Sequence, residues 1–171
     1  MLCMWIWIRF SLRRAITRPL KRIHVPVPTS WLQVLGMVRF SRPTIAGFQE
    51  VKADQKRDFE AAFGDAYHFF GVGREDGISR GEHMLLMVHK SIKVIATGTF
   101  WLSETGEVGS VGWDAVDSRA VTWAVLQLPK GGLVCVINTH LDHGGTLARR
   151  ESAELIARWV SDHGCGPEAA R

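Results

Sequence analysis

Apolar runs of strand length alternate along the chain with stretches that repeat their apolar positions at helical spacing. Strands are predicted at residues 45–49, 66–70, 84–89, 92–101, 120–128 and 133–139. Helices are predicted at residues 31–40, 51–63 and 147–160. Because residues 129–132 read Pro-Lys-Gly-Gly, the last two strands are expected to form a hairpin. Strands framed by helices in this way predict an α/β or α+β fold with a sheet rich in antiparallel hairpins.

Length and composition place the chain among globular proteins. It has 171 residues, of which 46% are hydrophobic and 22% charged, a size and balance that suit one domain. No apolar run approaches the ~18–20 residues of a membrane span. The three cysteines are odd in number and far apart, so a disulfide framework is not expected and a cytoplasmic, reducing location is the default.

Charge is distributed unevenly between the two ends of the chain. Residues 1–49 carry eight basic and no acidic residues, whereas the remainder carries 13 basic and 17 acidic residues. We therefore divide the chain into a basic N-terminal arm, residues 1–36, and a domain, residues 37–171. The arm is interpretable as an out-of-frame or degenerate segment, as a transit-like targeting segment or as a nucleic-acid-binding arm.

Polar side chains capable of chemistry stand at the ends of apolar runs. They are found in Gly47-Phe48-Gln49-Glu50, in Gly81-Glu82-His83 and in Asn138-Thr139-His140. A carboxylate at such an edge suits a hard cation such as Mg²⁺, and an imidazole beside it suits acid–base chemistry or phosphate binding. Taken singly, Glu50 could equally cap the following helix, and His140 could be a buried core histidine.

The order of the motifs adds a family resemblance. The motifs are Gly-Phe-Gln-Glu-Val at residues 47–51, Phe-Trp-Leu-Ser-Glu-Thr at 100–105, Gly-Trp-Asp-Ala at 112–115, Arg119-x-x-Thr-Trp, and Asn-Thr-His-Leu-Asp-His at 138–143. In this order the chain resembles the endonuclease/exonuclease/phosphatase superfamily over residues 37–160. The resemblance implies a four-layer α/β sandwich, here a partial one with mixed, largely antiparallel sheets. It also implies hydrolysis of phosphodiesters or phosphomonoesters with Mg²⁺ or Mn²⁺.

The resemblance also implies roles for individual residues. Glu50 matches the glutamate that binds the metal. His140 matches the active-site histidine, and Glu82 and Asn138 are placed with it as catalytic residues. Arg119, Arg149 and Asp142 are the expected substrate-binding residues. The implied substrate is a phosphate ester of a nucleic acid, nucleotide, phospholipid or sugar.

Two features depart from the family pattern. Trp7 stands where the family has a metal-organising asparagine, and an indole cannot coordinate Mg²⁺. The chain also ends at Arg171, before the family's later Gly-Asp-x-Asn and Ser-Asp-His motifs. The expectation is a truncated member with weak metal binding and impaired activity. The alternative is a non-catalytic remnant that binds nucleic acid or a protein partner.

Overall fold

The computed structural model describes residues 31–129 and 131–163, together with the backbone of residues 7–9. Seven strands and three helices follow one another in these parts of the chain. In order they are β1 (Trp7–Arg9), α1 (Trp31–Ser41), β2 (Ile45–Val51), α2 (Ala53–Phe63), β3 (Tyr67–Phe70), β4 (His83–His89), β5 (Lys93–Trp101), β6 (Ala120–Gln127), β7 (Leu133–Thr139) and α3 (Thr146–His163). Every strand and helix predicted within the described residues is present, with bounds that differ by a few residues.

The strands form two sheets. One sheet has the order β1-β7-β6-β5 and the other the order β2-β4-β3. All five pairings within them are antiparallel, so no parallel pair contributes to the described sheets. The expected hairpin joins β6 to β7, closed by a hydrogen bond of 3.0 Å from the Leu128 N–H to the Gly132 carbonyl.

Strand β4 is the centre of the core because both of its faces are covered. Leu85 and Met87 pack with residues of α1, α2 and β2 in one apolar cluster. Leu86 and Val88 pack against β6 and β7 in a second cluster. Side chains alternate between the two faces of a strand, so one continuous apolar run serves both clusters.

Helix α3 covers the outer face of the larger sheet. The ring of Trp159 lies 5.1 Å from that of Phe100 and 5.0 Å from that of Trp123, measured between centroids. Two helices, the smaller sheet, the larger sheet and α3 therefore stack as four layers. This arrangement confirms the predicted partial four-layer α/β sandwich, whose described strand pairs are antiparallel throughout.

Helix α1 runs across the predicted boundary between arm and domain. Val34 and Val38 are both buried in the cluster that contains α2, so the helix packs as part of the domain on either side of residue 36. Residues 10–30 and most of residues 1–9 lie outside the described part of the chain. The division at residue 36 stays a prediction. None of the helices within the described ranges is long and apolar enough to cross a membrane.

Candidate active site

A bulge at the end of β2 places Glu50. The pairing of β2 with β4 shifts register between Phe48 and Val51, and Glu50 has a φ of 57°, in the left-handed region. A side chain other than glycine in this region costs about 1–2 kcal/mol, and such strain collects at functional sites. The bulge turns consecutive residues to different surroundings: Gln49 is fully buried, while Glu50 remains half-buried at the sheet edge.

Asn138 ties this bulge to the opposite sheet. Its side-chain amide donates to the carbonyls of Phe48 and Leu85, both at 3.0 Å, and its Oδ1 accepts a hydrogen bond from the Gln49 amide. A Cβ atom on Gly47 would lie 2.9 Å from the same Oδ1, so the close approach requires glycine. Asn138 thus fixes the backbone that carries Glu50, because each of its amide groups is satisfied inside the protein.

His140 faces Glu50 across the end of β7. Its Nε2 lies 3.7 Å from Oε1 of Glu50. Its Nδ1 lies 3.3 Å from Nη1 of Arg119, and a guanidinium group can only donate. Nδ1 is therefore the acceptor, and the neutral ring carries its proton on Nε2, on the side of Glu50.

The surroundings keep His140 neutral. Burial lowers the pKa of His140, and the positive charge of Arg119 lowers it further against the opposing charges of Glu50 and Glu82. At neutral pH the ring is an uncharged hydrogen-bond donor at Nε2. Such a donor suits an anionic oxygen of a bound phosphate.

Asp142 holds Arg119 in place. Its Oδ2 accepts hydrogen bonds from Nε and Nη2 of Arg119, both at 3.1 Å, and its Oδ1 accepts from the backbone N–H groups of Gly144 and Gly145. Burial alone would raise the pKa of Asp142, but the Gly145 and Gly144 N–H groups and Arg119 hold it well below its usual range. The carboxylate is therefore ionised while only 2% exposed.

A second arginine extends the network. Nη1 of Arg74 lies 3.0 Å from Glu82, and its Nη2 lies 3.3 Å from Asp117. Asp117 also lies 3.7 Å from Nη2 of Arg119. Neither Arg74 nor Asp117 was among the predicted site residues. The Gly-rich stretch around Arg74 was the available signal for the first, and nothing in the sequence pointed to the second.

Solved structures with this arrangement of strands and helices include members of one family. An endonuclease/exonuclease/phosphatase from Bacteroides vulgatus superposes with a TM-score of 0.74 at 38% identity, over 77% of this chain and 51% of that one. A mannosyl-6-phosphatase from Bacteroides thetaiotaomicron superposes with a TM-score of 0.74 at 36% identity, over 80% of this chain and 51% of that one. The chain belongs to the endonuclease/exonuclease/phosphatase superfamily.

The likeness extends to a structure of low sequence identity, and it covers only part of each matched chain. A humanized TDP2 from D. rerio shares the fold, with a TM-score of 0.55 at 15% identity over 78% of this chain and half (50%) of that one. This chain thus spans about half the length of the superfamily members that it matches. A scan of protein-family models finds no match, and a search of curated proteins also finds none.

The predicted site residues of this superfamily member lie close to one another. Glu50, His140 and Arg119 meet directly. Glu82 forms an ion pair with Arg74. Asn138 is 3% exposed, and its side chain is hydrogen-bonded to the backbone beside the β2 bulge.

Two predicted substrate-binding residues have structural partners. Arg149 donates to the carbonyls of Asp142 and His143, each at 3.1 Å, and so fastens the turn before α3. Asp142 is occupied by Arg119 and by backbone N–H groups. Their binding of substrate stays a prediction.

The side chains of the site fit a divalent ion only if a substrate phosphate and waters supply most of its ligands. Within the described ranges, no group of three or more His, Cys, Asp or Glu side chains is placed to hold a metal ion. The connected network nevertheless has two arginines and four carboxylates, a net charge of −2 with His140 neutral. This net negative charge repels a phosphate, and a bound cation would reduce that repulsion. Glu50 is the fitting ligand, since Mg²⁺ is commonly bound by one or two carboxylates, waters and substrate phosphates.

The burial of His83 predicts a pH-dependent stability of the domain. It is 1% exposed beside the β2 bulge, and its Nδ1–H donates to the Val51 carbonyl at 3.0 Å. Burial lowers the pKa of His83 although this hydrogen bond opposes the shift. The unfolded chain then binds a proton first, below pH about 6.5, so stability must fall as the pH drops below that value.

Chemical denaturation between pH 7.5 and 5 tests this prediction. One such group changes the free energy of unfolding by at most about 1.4 kcal/mol per pH unit. We expect His83→Gln to flatten the pH dependence of the free energy of unfolding, and His68→Gln, at an exposed position of β3, serves as the matched control. An unaltered pH dependence in His83→Gln would show that the unfolding proton is taken up elsewhere.

Proposed function

We propose that this chain is a phosphoester hydrolase dependent on Mg²⁺ or Mn²⁺, with His140 as its phosphate-binding donor. The observation that carries the proposal is the hydrogen bond from Arg119 to Nδ1 of His140, which leaves the proton on Nε2 facing Glu50. Membership of a superfamily that includes phosphatases and nucleases supports it.

One side chain binds the phosphate, and the others hold it and the metal-binding glutamate in position. His140 donates its Nε2–H to an oxygen of the phosphate, where a fixed donor stabilises the charge of the transition state. Arg119 fixes the tautomer, and Asp142 fixes Arg119. A divalent ion at Glu50 would supply the positive charge that makes phosphorus open to attack by water. Asn138 keeps the bulge that carries Glu50 in place.

A sugar phosphate is the first substrate class to test. The mannosyl-6-phosphatase shares 36% identity with this chain, which supports a phosphomonoester of a sugar over a polymeric diester. The described residues offer one metal-binding carboxylate, so we expect slow turnover. Loss of a group that positions a proton or water commonly lowers rates by ~10²–10⁴-fold.

Hydrolysis of three substrates with Mg²⁺ or Mn²⁺ tests the proposal: mannose 6-phosphate, an activated phosphodiester and plasmid DNA. We expect slow, metal-stimulated release of phosphate from the monoester that Glu50→Ala and His140→Ala both abolish. Rapid turnover that neither substitution changes would overturn the site. Binding of DNA without any hydrolysis that depends on Glu50 or His140 would identify a binding module instead.

A further inference from the structure

Two arginines from different loops converge on one carboxylate. Arg74 lies in the Gly-rich loop before β4, and Arg119 directly precedes β6. Asp117 stands between them, 3.3 Å from Nη2 of Arg74 and 3.7 Å from Nη2 of Arg119. Two guanidinium groups around one small anion form the arrangement by which proteins recognise carboxylates and phosphates.

Asp117 is the most weakly held carboxylate of this cluster. Each arginine has nearer partners than Asp117. Glu82 lies 3.0 Å from Arg74, while Asp142 and Nδ1 of His143 lie 3.1 and 3.2 Å from Nη2 of Arg119. The side chain of Asp117 is 43% exposed, whereas those of Arg74 and Arg119 are 12% and 4% exposed. An anion from solvent would therefore meet Asp117 before it met either guanidinium group.

The backbone around Asp117 is anchored independently of its carboxylate. The N–H groups of Val116 and Asp117 point to Oδ2 of Asp142, at 3.2 and 3.4 Å. The hydroxyl of Ser118 donates to the carbonyl of Arg74 at 3.3 Å. Rotation of the Asp117 side chain alone can thus uncover the two arginines while the loop stays in place.

One donor of the pair also lacks an acceptor. Nε of Arg74 is buried and has no hydrogen-bond partner among the described residues. An unsatisfied buried donor is uncommon, and it fits a guanidinium group whose full set of acceptors is supplied by a ligand. A phosphate presents more acceptor oxygens than a carboxylate does.

We propose that Arg74 and Arg119 form an anion subsite that Asp117 occupies as an internal counter-ion, and that the phosphate of the substrate displaces it. The inference rests on the proposed function and names where the phosphate binds beside His140. Displacement replaces one negative charge by another, so the network of net charge −2 does not have to accept the whole added charge of the ligand. Asp117 thereby sets the affinity of the site for phosphate.

Titration with inorganic phosphate at pH 7, followed by calorimetry, tests the subsite without any need for turnover. Asp117→Asn keeps the shape of the side chain and removes its charge. We expect it to tighten phosphate binding by about three- to tenfold, because the charge of the exposed Asp117 side chain, held at 3.3 and 3.7 Å, no longer competes for the two arginines. Asp65→Asn, a surface change before β3 at the opposite end of β4 from His83, should leave the affinity unchanged.

A second substitution makes the assignment specific. Adding Arg74→Met to Asp117→Asn should cancel the gain, with thermal melting to show that the variants fold. Unchanged or weaker phosphate binding in Asp117→Asn, alongside binding in the wild type that requires His140, would overturn the subsite and leave the proposed function standing. Absence of phosphate binding in the wild type and in Asp117→Asn would overturn both.

Discussion

Replacing His140 by alanine is expected to weaken the binding of inorganic phosphate by about ten- to hundredfold. The neutral ring presents Nε2–H to the anion because Arg119 occupies Nδ1. A hydrogen bond to a charged group contributes about 1.5–3 kcal/mol, and each 1.4 kcal/mol corresponds to a tenfold change in affinity. Calorimetric titration of the wild type and of His140→Ala measures the effect.

Two further variants separate loss of the donor from loss of structure. His140→Gln retains an N–H donor, so it should recover part of the affinity. His68→Ala removes an exposed histidine from β3 and should bind phosphate as the wild type does. Equal affinities of the wild type and of folded His140→Ala would exclude His140 from the phosphate site.

Replacing Asp142 by alanine is expected to lower the free energy of unfolding by about 3–5 kcal/mol. The substitution leaves the guanidinium group of Arg119, only 4% exposed, without its principal counter-ion. Removing one partner of a buried ion pair is this costly because the other charge stays buried. A small domain is stable by only about 5–15 kcal/mol, so the variant should unfold at markedly lower denaturant concentration.

The carboxylate of Asp142 is also expected to make the domain less stable as the pH falls below about 4. The pKa of Asp142 is held below its usual value, so its contribution is complete at neutral pH. The unfolded chain takes up the proton first, near pH 4, and the contribution is lost progressively as the pH falls further. Asp142→Asn should therefore lose less stability than the wild type between pH 5 and 2. Wild-type stability in both Asp142 variants at pH 7 would show that Arg119 does not depend on this partner.

The sheets could be predicted from the sequence because their apolar runs are short, separated and rich in β-forming residues. β4 shows the reason most clearly, since six of its seven residues are buried and both faces pack against other layers. The hairpin between β6 and β7 followed from the turn residues at 129–132. The local sequence pattern was sufficient to predict a strand wherever the strand depends only on the burial of its apolar side chains.

The details of the site lay beyond such patterns. The residue of the bulge with left-handed backbone geometry is Glu50 and not a glycine, so the local sequence carried no signal for the bulge. The partners of Glu82 and Asp142 proved to be Arg74 and Arg119, which come from separate loops and meet only in the folded chain. Family motifs named both Glu50 and His140, whose side chains lie 3.7 Å apart, but they did not indicate that Asp117 lies between the two arginines.

The central claim is that His140 is a neutral donor at Nε2 that faces phosphate. Nitrogen NMR of the histidine ring, assigned by comparison with His140→Gln, measures its protonation and tautomer directly. We expect a neutral ring at pH 7 with the proton on Nε2, and a shift of the Nε2 resonance on addition of inorganic phosphate. A proton on Nδ1, a charged ring at pH 7, or an Nε2 resonance that phosphate leaves unchanged would contradict it.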